Sequence, residues 1–236
     1  MGIYYYIQVS LTLIMLIHTS ILDLKYREVD PKIWLYYVPL CVFIVFDYHY
    51  LFLPLYLYSF AIVNVLFYLL YRFSLIGGAD VFLNVILGLS NSTVFPLVRS
   101  PLSVIGLEPL LIVLYASVLI LLASVFNFIK QYKFTRNLPF LKRIIFALSA
   151  RRIKVRDFIN SKFLFPLTTI NEKGEVTIRD YFSIEEDDKY WRDKYRKLVE
   201  EGKVSEDDYI WVAWGIPVIP FVLLGYFLSI TVGFPI

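Results

Sequence analysis

A chain of 236 residues with 58% hydrophobic and only 18% charged side chains falls outside soluble-domain composition, where about a quarter of residues are charged. Its mean hydropathy is +0.65, and a formal net charge of +3 excludes a protein built to neutralise a nucleic acid. Cys41 is the only cysteine, which rules out an intramolecular disulfide and a zinc thiolate cluster, while His18 and His49 are too few for a histidine metal site.

The apolar residues come in blocks. Ile3–Leu22, Leu51–Tyr71, Glu108–Phe128 and Trp211–Phe234 each approach or exceed the roughly 20 residues that cross a ~30 Å hydrocarbon core. Ile33–Phe46 and Val81–Val98 are shorter or interrupted, and read as spans once their flanks are included. The pattern predicts an all-α membrane protein with six transmembrane helices and a small mixed α/β cytosolic insertion between helices five and six. Residues 1–128 would hold helices one to five, 129–210 the soluble insertion, and 211–236 the last helix. The first block does not read as a cleaved signal peptide: no Lys or Arg precedes Lys25, and no small-residue cleavage site follows.

Charge gives the expected orientation. Basic residues 25, 27, 32 and 72 and the eighteen within 129–210 fall on one face, leaving Arg99 alone on the other. Lys and Arg accumulate on the cytoplasmic side, so the N-terminus is placed outside and the insertion in the cytoplasm.

Within the insertion, Leu138–Phe165 mixes basic and apolar residues in a way that suits a stretch lying on an anionic membrane surface. "NEKG" at 171–174 reads as a turn between strands near Leu167–Ile170 and Glu175–Tyr181. A charged helix should follow from about Ile184 to Glu201, with Ser183 and Glu186 at capping-box spacing and Gly202 as its stop. Ser205 and Asp208 repeat that spacing before the last block.

Acids near the bilayer carry the functional signal, because an Asp at mid-span costs about 2.5–3.5 kcal/mol on insertion scales. Glu108, before Pro109, is expected at the outer interface, and Asp47, beside His49, in an external turn. Asp23 closes the first span, and Asp80 opens the fourth within "FSLIGGADVFLN". Two crossings separate them, so topology brings both carboxylates to one depth. Two close carboxylates share one proton, and such a pair can take a proton from water while donating one to a carbonyl. Gly77 and Gly78 would leave room for an extended peptide and permit unusual backbone angles. On these residues alone the alternatives stay open. The glycines also fit a plain interhelical turn, Asp80 a first-turn acid, Asp23 an acid balancing Lys25 and Arg27, and the pair an ion or proton carrier.

Three features resemble archaeal preflagellin and prepilin peptidases, relatives of the bacterial type IV prepilin peptidases. They are the Asp followed by "DLKYREVDPKIW", the Gly-x-Gly-Asp-like "GGAD", and "WVAWGIPVIP" leading into a final helix. The resemblance implies an intramembrane aspartic endopeptidase with Asp23 and Asp80 as the catalytic pair and Gly77 and Gly78 beside the substrate. It also implies pilin-like or archaellin precursors as partners, cut at the cytoplasmic face before their apolar helix, with no metal and no cofactor. Ala79 stands where the motif has its second glycine. The acidic run Glu185–Asp188 fits either attraction of a basic leader or a solvated, capped helix start, the latter favoured. The lipid bilayer is a partner, nucleic acid is not, and oligomeric state is left open. The competing readings are a small proton- or ion-coupled transporter using the two aspartates, and a structural membrane subunit.

Overall fold

A computed structural model of the chain describes residues 3–73, 75–93, 95–98, 106–171, 175–179 and 186–233. They group into two compact units, one from Met1–Ile120 with Pro217–Ile236, the other from Leu121–Ile216.

The first unit is helical. Its long helices are α1 (Ile3–Tyr26), α4 (Leu53–Arg72) and the start of α6 (Glu108–Gln131). Between α1 and α4 the chain is helical but broken, running through α2 (Pro31–Tyr37), a 3-10 segment Val38–Val42 and α3 (Phe43–Asp47). Asp30 caps α2 by accepting from the Lys32 amide at 2.8 Å. Pro39 lacks the N–H an α-helix would need there and crowds the preceding turn, so the path tightens to 3-10.

Four stretches, Ile3–Tyr26, Pro31–Tyr50, Leu53–Arg72 and Glu108–Thr135, are long and apolar enough to cross a membrane. The other two apolar helices, α5 (Gly78–Ser90) and α10 (Val218–Val232), are shorter. At 1.5 Å per residue they reach about 20 and 22 Å, short of the ~30 Å core. The expected block Val81–Val98 is helical only to Ser90, where Asn91 closes the helix. The block expected from Trp211 is a strand as far as Trp214, and its helix begins only at Val218. "YIWVAW" is all aromatic, β-branched or small and pairs on both edges, and Pro217 then starts a new element.

These helices bury one core. Met15 and Leu16 of α1, Leu83 and Leu87 of α5, Ile112 of α6 and Tyr226 of α10 are all at most 2% exposed. A Cβ on Gly225 would stand 2.5 Å from the Ile112 carbonyl oxygen, so only glycine lets α10 cross α6 this closely. The exposed side of α4 carries Leu57, Ile62, Val65, Leu66 and Leu69, apolar side chains that suit a lipid-facing surface.

The second unit holds the sheet. After α7 (Phe140–Ser149) come β1 (Ala150–Lys154), α8 (Val155–Ile159), β2 (Leu164–Pro166), β3 (Thr168–Ile170), β4 (Val176–Ile178), α9 (Asp188–Glu200) and β5 (Tyr209–Trp214). β5 lies between β1 and β2, antiparallel to both, with Arg152 opposite Trp211 and Phe165 opposite Ala213. β3 and β4 pair with Thr168 opposite Ile178, on the two stretches expected to be strands; residues 172–174 of their turn lie outside the described residues. Val155, Phe158, Tyr195, Leu198 and Val212 form the core between α8, α9 and the sheet.

Helix α9 starts at Asp188, later than the capping-box spacing suggested. Asp187 is its cap, accepting from the Lys189 amide at 2.8 Å, while Ser183 lies outside the described residues. Gly202, φ +68°, follows its end in the left-handed conformation as anticipated. Ser205 and Asp208 do bond reciprocally, since the Asp208 carboxylate accepts from the Ser205 amide at 2.8 Å, but their turn leads into β5 and not a helix.

Candidate active site

Asp23 and Asp80 come together within the helical unit. Asp23 lies in the last turn of α1 and is 9% exposed; Asp80 lies in the first turn of α5 and is 8% exposed. The two are near enough for the charge of one to act on the other. Among the described residues each accepts from one backbone N–H. The Gly77 amide donates to Asp80 Oδ2 at 3.2 Å, while the Asp80 amide donates back to the Gly77 carbonyl at 3.2 Å. The reading of Asp80 as a first-turn acid is therefore correct as local structure, and compatible with a second role.

Asp23 has the less natural position, since a carboxylate at a helix C-terminus opposes the helix dipole. Its compensation comes from α10, where the Ile219 amide donates to Asp23 Oδ2 at 3.3 Å. Ile219 is in the first turn of α10, so its N–H has no partner within its own helix. Arg27 is also close enough to act on Asp23 electrostatically. It follows α1 with φ +57°, a left-handed conformation costing an arginine about 1–2 kcal/mol. Lys25 instead lies over the Tyr26 ring at 5.0 Å. Sequence reasoning named Arg27 and the start of the last helix but did not foresee the Ile219 amide, because a backbone donor has no residue-type signature.

The two motif glycines need no unusual backbone. Gly77 has φ −77° and ψ 156°, and Gly78 is the first residue of α5, so the expectation of special angles is not met. What they leave is space. A Cβ on Gly77 would sit 3.8 Å from Asp80 Oδ2, and one on Gly78 would sit 3.5 Å from the Tyr71 ring, both ordinary contacts. Ala79 is helical and packs against the core, so no second glycine is required there.

Two acids assigned to the membrane surface are buried. Asp47 is 2% exposed and Glu108 4%. Asp47 Oδ2 accepts from Gln8 Nε2 at 3.0 Å, Ser92 Oγ at 2.9 Å and the Thr93 amide at 3.4 Å. Asn91 extends this layer, donating to Thr12 Oγ1 at 3.0 Å and accepting from the Tyr226 hydroxyl at 2.8 Å. Hydropathy places acids by sequence neighbours, whereas Asp47 is bonded by side chains and backbone distant in sequence.

In the second unit the acidic run is occupied. Glu186 accepts from Trp191 Nε1 at 2.8 Å and pairs with Arg179 at 2.8 Å; Asp188 pairs with Arg192 and accepts from the Phe163 amide at 2.7 Å. With Asp187 capping α9, residues 186–188 serve their own unit, and Glu185 lies outside the described residues.

The chain is a multi-pass membrane protein in which α1 and α5 each carry a buried carboxylate. Residues 10–125 match the type IV leader peptidase family, and residues 142–234 match the archaeal peptidase A24 C-terminus, type II. The chain belongs to that family, in its archaeal prepilin and preflagellin peptidase branch. No curated protein matches it. Membership in a peptidase family decides against the carrier and the structural subunit.

Proposed function

We propose that the chain is an aspartic endopeptidase, with Asp23 and Asp80 as its catalytic pair, that removes the short basic leader of pilin-like and archaellin precursors at the cytoplasmic membrane face. The observation that carries this reading is two buried carboxylates from separate helices, close enough for one charge to act on the other, each with one backbone N–H bonded to it among the described residues. In that arrangement one carboxylate is ionised and the other protonated. The ionised group takes a proton from water as its oxygen attacks the scissile carbonyl carbon. The protonated group gives its proton to the carbonyl oxygen. The diol then collapses, the C–N bond breaks, and the nitrogen leaves with a proton from the pair.

The open space beside Gly77 lets an extended backbone reach Asp80. Phe140, Leu141 and Ile145, exposed on α7 beside Lys142 and Arg143, suit contact of that helix with an anionic lipid surface. Incubating the purified protein with a tagged pilin precursor tests the reading. Asp23→Asn and Asp80→Asn should each lower cleavage by about 10³-fold while remaining inserted and folded; full processing by either variant overturns it.

A further inference from the structure

One turn beyond the carboxylate pair, two buried polar atoms have no hydrogen-bond partner among the described residues: Ser20 Oγ on α1 and Asn84 Nδ2 on α5. Ser20 is 4% exposed and Asn84 3%. Their positions follow from helix geometry. Ser20 precedes Asp23 by three residues and Asn84 follows Asp80 by four, so each shares a helix face with its aspartate. α1 ends at the pair and α5 begins there. Both displacements therefore run the same way, about 5 Å toward the middle of the bundle.

Comparable donors on neighbouring helices find local acceptors. The Thr19 hydroxyl donates to the Met15 carbonyl at 2.8 Å, Ser90 to Leu87 at 3.3 Å, and Asn64 Nδ2 to Phe60 at 2.8 Å. Ser20 and Asn84 make no such local bond. A buried donor left unmade costs about 1–3 kcal/mol, so two of them on converging helices mark a place where an outside group completes the bonding.

We propose that Ser20 and Asn84 form a docking site for the peptide backbone of the precursor on the membrane side of the scissile bond. This inference rests on reading Asp23 and Asp80 as catalytic. The substrate's apolar helix begins just after the cut, and its first turn must unwind before a bond in it is extended and open to attack. Unwinding frees carbonyls that had been bonded within the helix, in surroundings where water does not replace those bonds. A donor about 5 Å past the carboxylates meets the first or second residue beyond the cut, at ~3.3 Å of extended chain per residue. Asn84 Nδ2 donates to such a carbonyl, and the Ser20 hydroxyl serves a carbonyl or an N–H.

The test reads binding and catalysis separately. Asn84→Leu keeps the volume and removes the donor; Asn84→Ala is the smaller replacement if leucine overpacks, and Ser20→Ala completes the set. In each, the thermal midpoint of the precursor-free enzyme should hold or rise, because an unmet buried polar group is gone. KM for a pilin-like precursor should rise about tenfold per hydrogen bond lost, with kcat changed less, and Ser20→Thr should restore most of the loss. The same substitutions in an Asp80→Asn background should weaken precursor binding by a similar factor. A fall in midpoint with unchanged KM would show that the two groups serve the fold, and a fall in kcat with unchanged binding would show that they hold the attacking water; either overturns the docking site. Cleavage by Asp80→Asn itself would instead overturn the catalytic pair, so the two failures are distinct.

Discussion

Two of the buried carboxylate sites in the helical unit, at Asp47 and at Asp23 with Asp80, are finished differently. At one end of α1, Gln8, Ser92 and Thr93 donate to a single oxygen of Asp47, and Gln8 is itself tied to the Ser90 carbonyl at 2.7 Å, although Gln8 Oε1 and Thr93 Oγ1 have no partner among the described residues. About 22 Å along the same helix, Asp23 and Asp80 each receive one backbone N–H among the described residues, where Ser20 Oγ and Asn84 Nδ2 have no partner. A carboxylate accepts about four hydrogen bonds. The first site spends much of that capacity on joining α1, α3 and the chain after α5; under the proposed function the second keeps it for water and a peptide. Burial is shared by both, and by Glu108, so burial alone does not mark a reactive acid.

The largest expected effect strikes the Asp47 site. Asp47→Ala strands three donors in a buried place, and each costs about 1–3 kcal/mol when unpaired. Such a loss rivals the whole stability of many domains. We expect poor yield and a sharply lowered thermal midpoint, with near-normal kcat/KM in whatever fraction folds. Normal stability with lost cleavage would reverse the roles of the two sites.

Next in size is Gly225→Ala. The new Cβ would meet the Ile112 carbonyl at 2.5 Å and the Ala116 nitrogen at 2.9 Å, both backbone atoms that cannot turn away. Separating α10 from α6 should cost about 1–3 kcal/mol as overpacking. Because α10 also carries the Ile219 amide to Asp23, the variant should lose activity together with stability. A thermal midpoint equal to the parent's would show that the crossing is looser than drawn.

Gly77→Ala sharpens the comparison from the open side. The backbone at Gly77 suits any residue, and the added methyl would stand 3.8 Å from Asp80 Oδ2 without a clash. Stability should stay within about 0.5 kcal/mol. Precursor cleavage should fall several-fold or more, because the methyl fills the space in front of the carboxylate. Gly78→Ala, whose Cβ faces Tyr71 at 3.5 Å, is the control and should be milder. Equal activity for both would remove space as the reason for the glycines.

Much of this was legible in the sequence, for identifiable reasons. Apolar block length gave the long helices, since crossing a bilayer sets a minimum run of residues. Counting crossings gave the expectation that Asp23 and Asp80 share one depth, and they lie close enough for one charge to act on the other. The charged composition of 188–200 marked α9. Failures came where partners distant in sequence decide. Trp211–Trp214 is as apolar as a span, yet strands on both sides claim it. Asp47 looked like an external-turn acid because nothing nearby in the chain announces Gln8, Ser92 or Thr93 as its partners. Ser20 and Asn84 stand out only once their missing bonds are visible, and an unmade bond leaves no mark in a sequence.

The smallest effect belongs to the second unit, far in character from both buried sites. Asp207 pairs with Lys154 at 2.8 Å in an exposed position, and that cation with Arg156 nearby lowers the Asp207 carboxyl below its ordinary value. A lowered folded-state value means that the pair's contribution is complete above the ordinary carboxylate range and fades as pH falls through the folded value. Asp207→Asn should therefore lower the thermal midpoint slightly at neutral pH, less at high salt, and not at all once the parent's carboxyl is protonated. Cleavage at neutral pH should be unchanged. A large loss of activity from this substitution would mean that charge on the soluble unit steers the basic leader, a task its exposed Asp207 would then share where the internally paired run 186–188 does not.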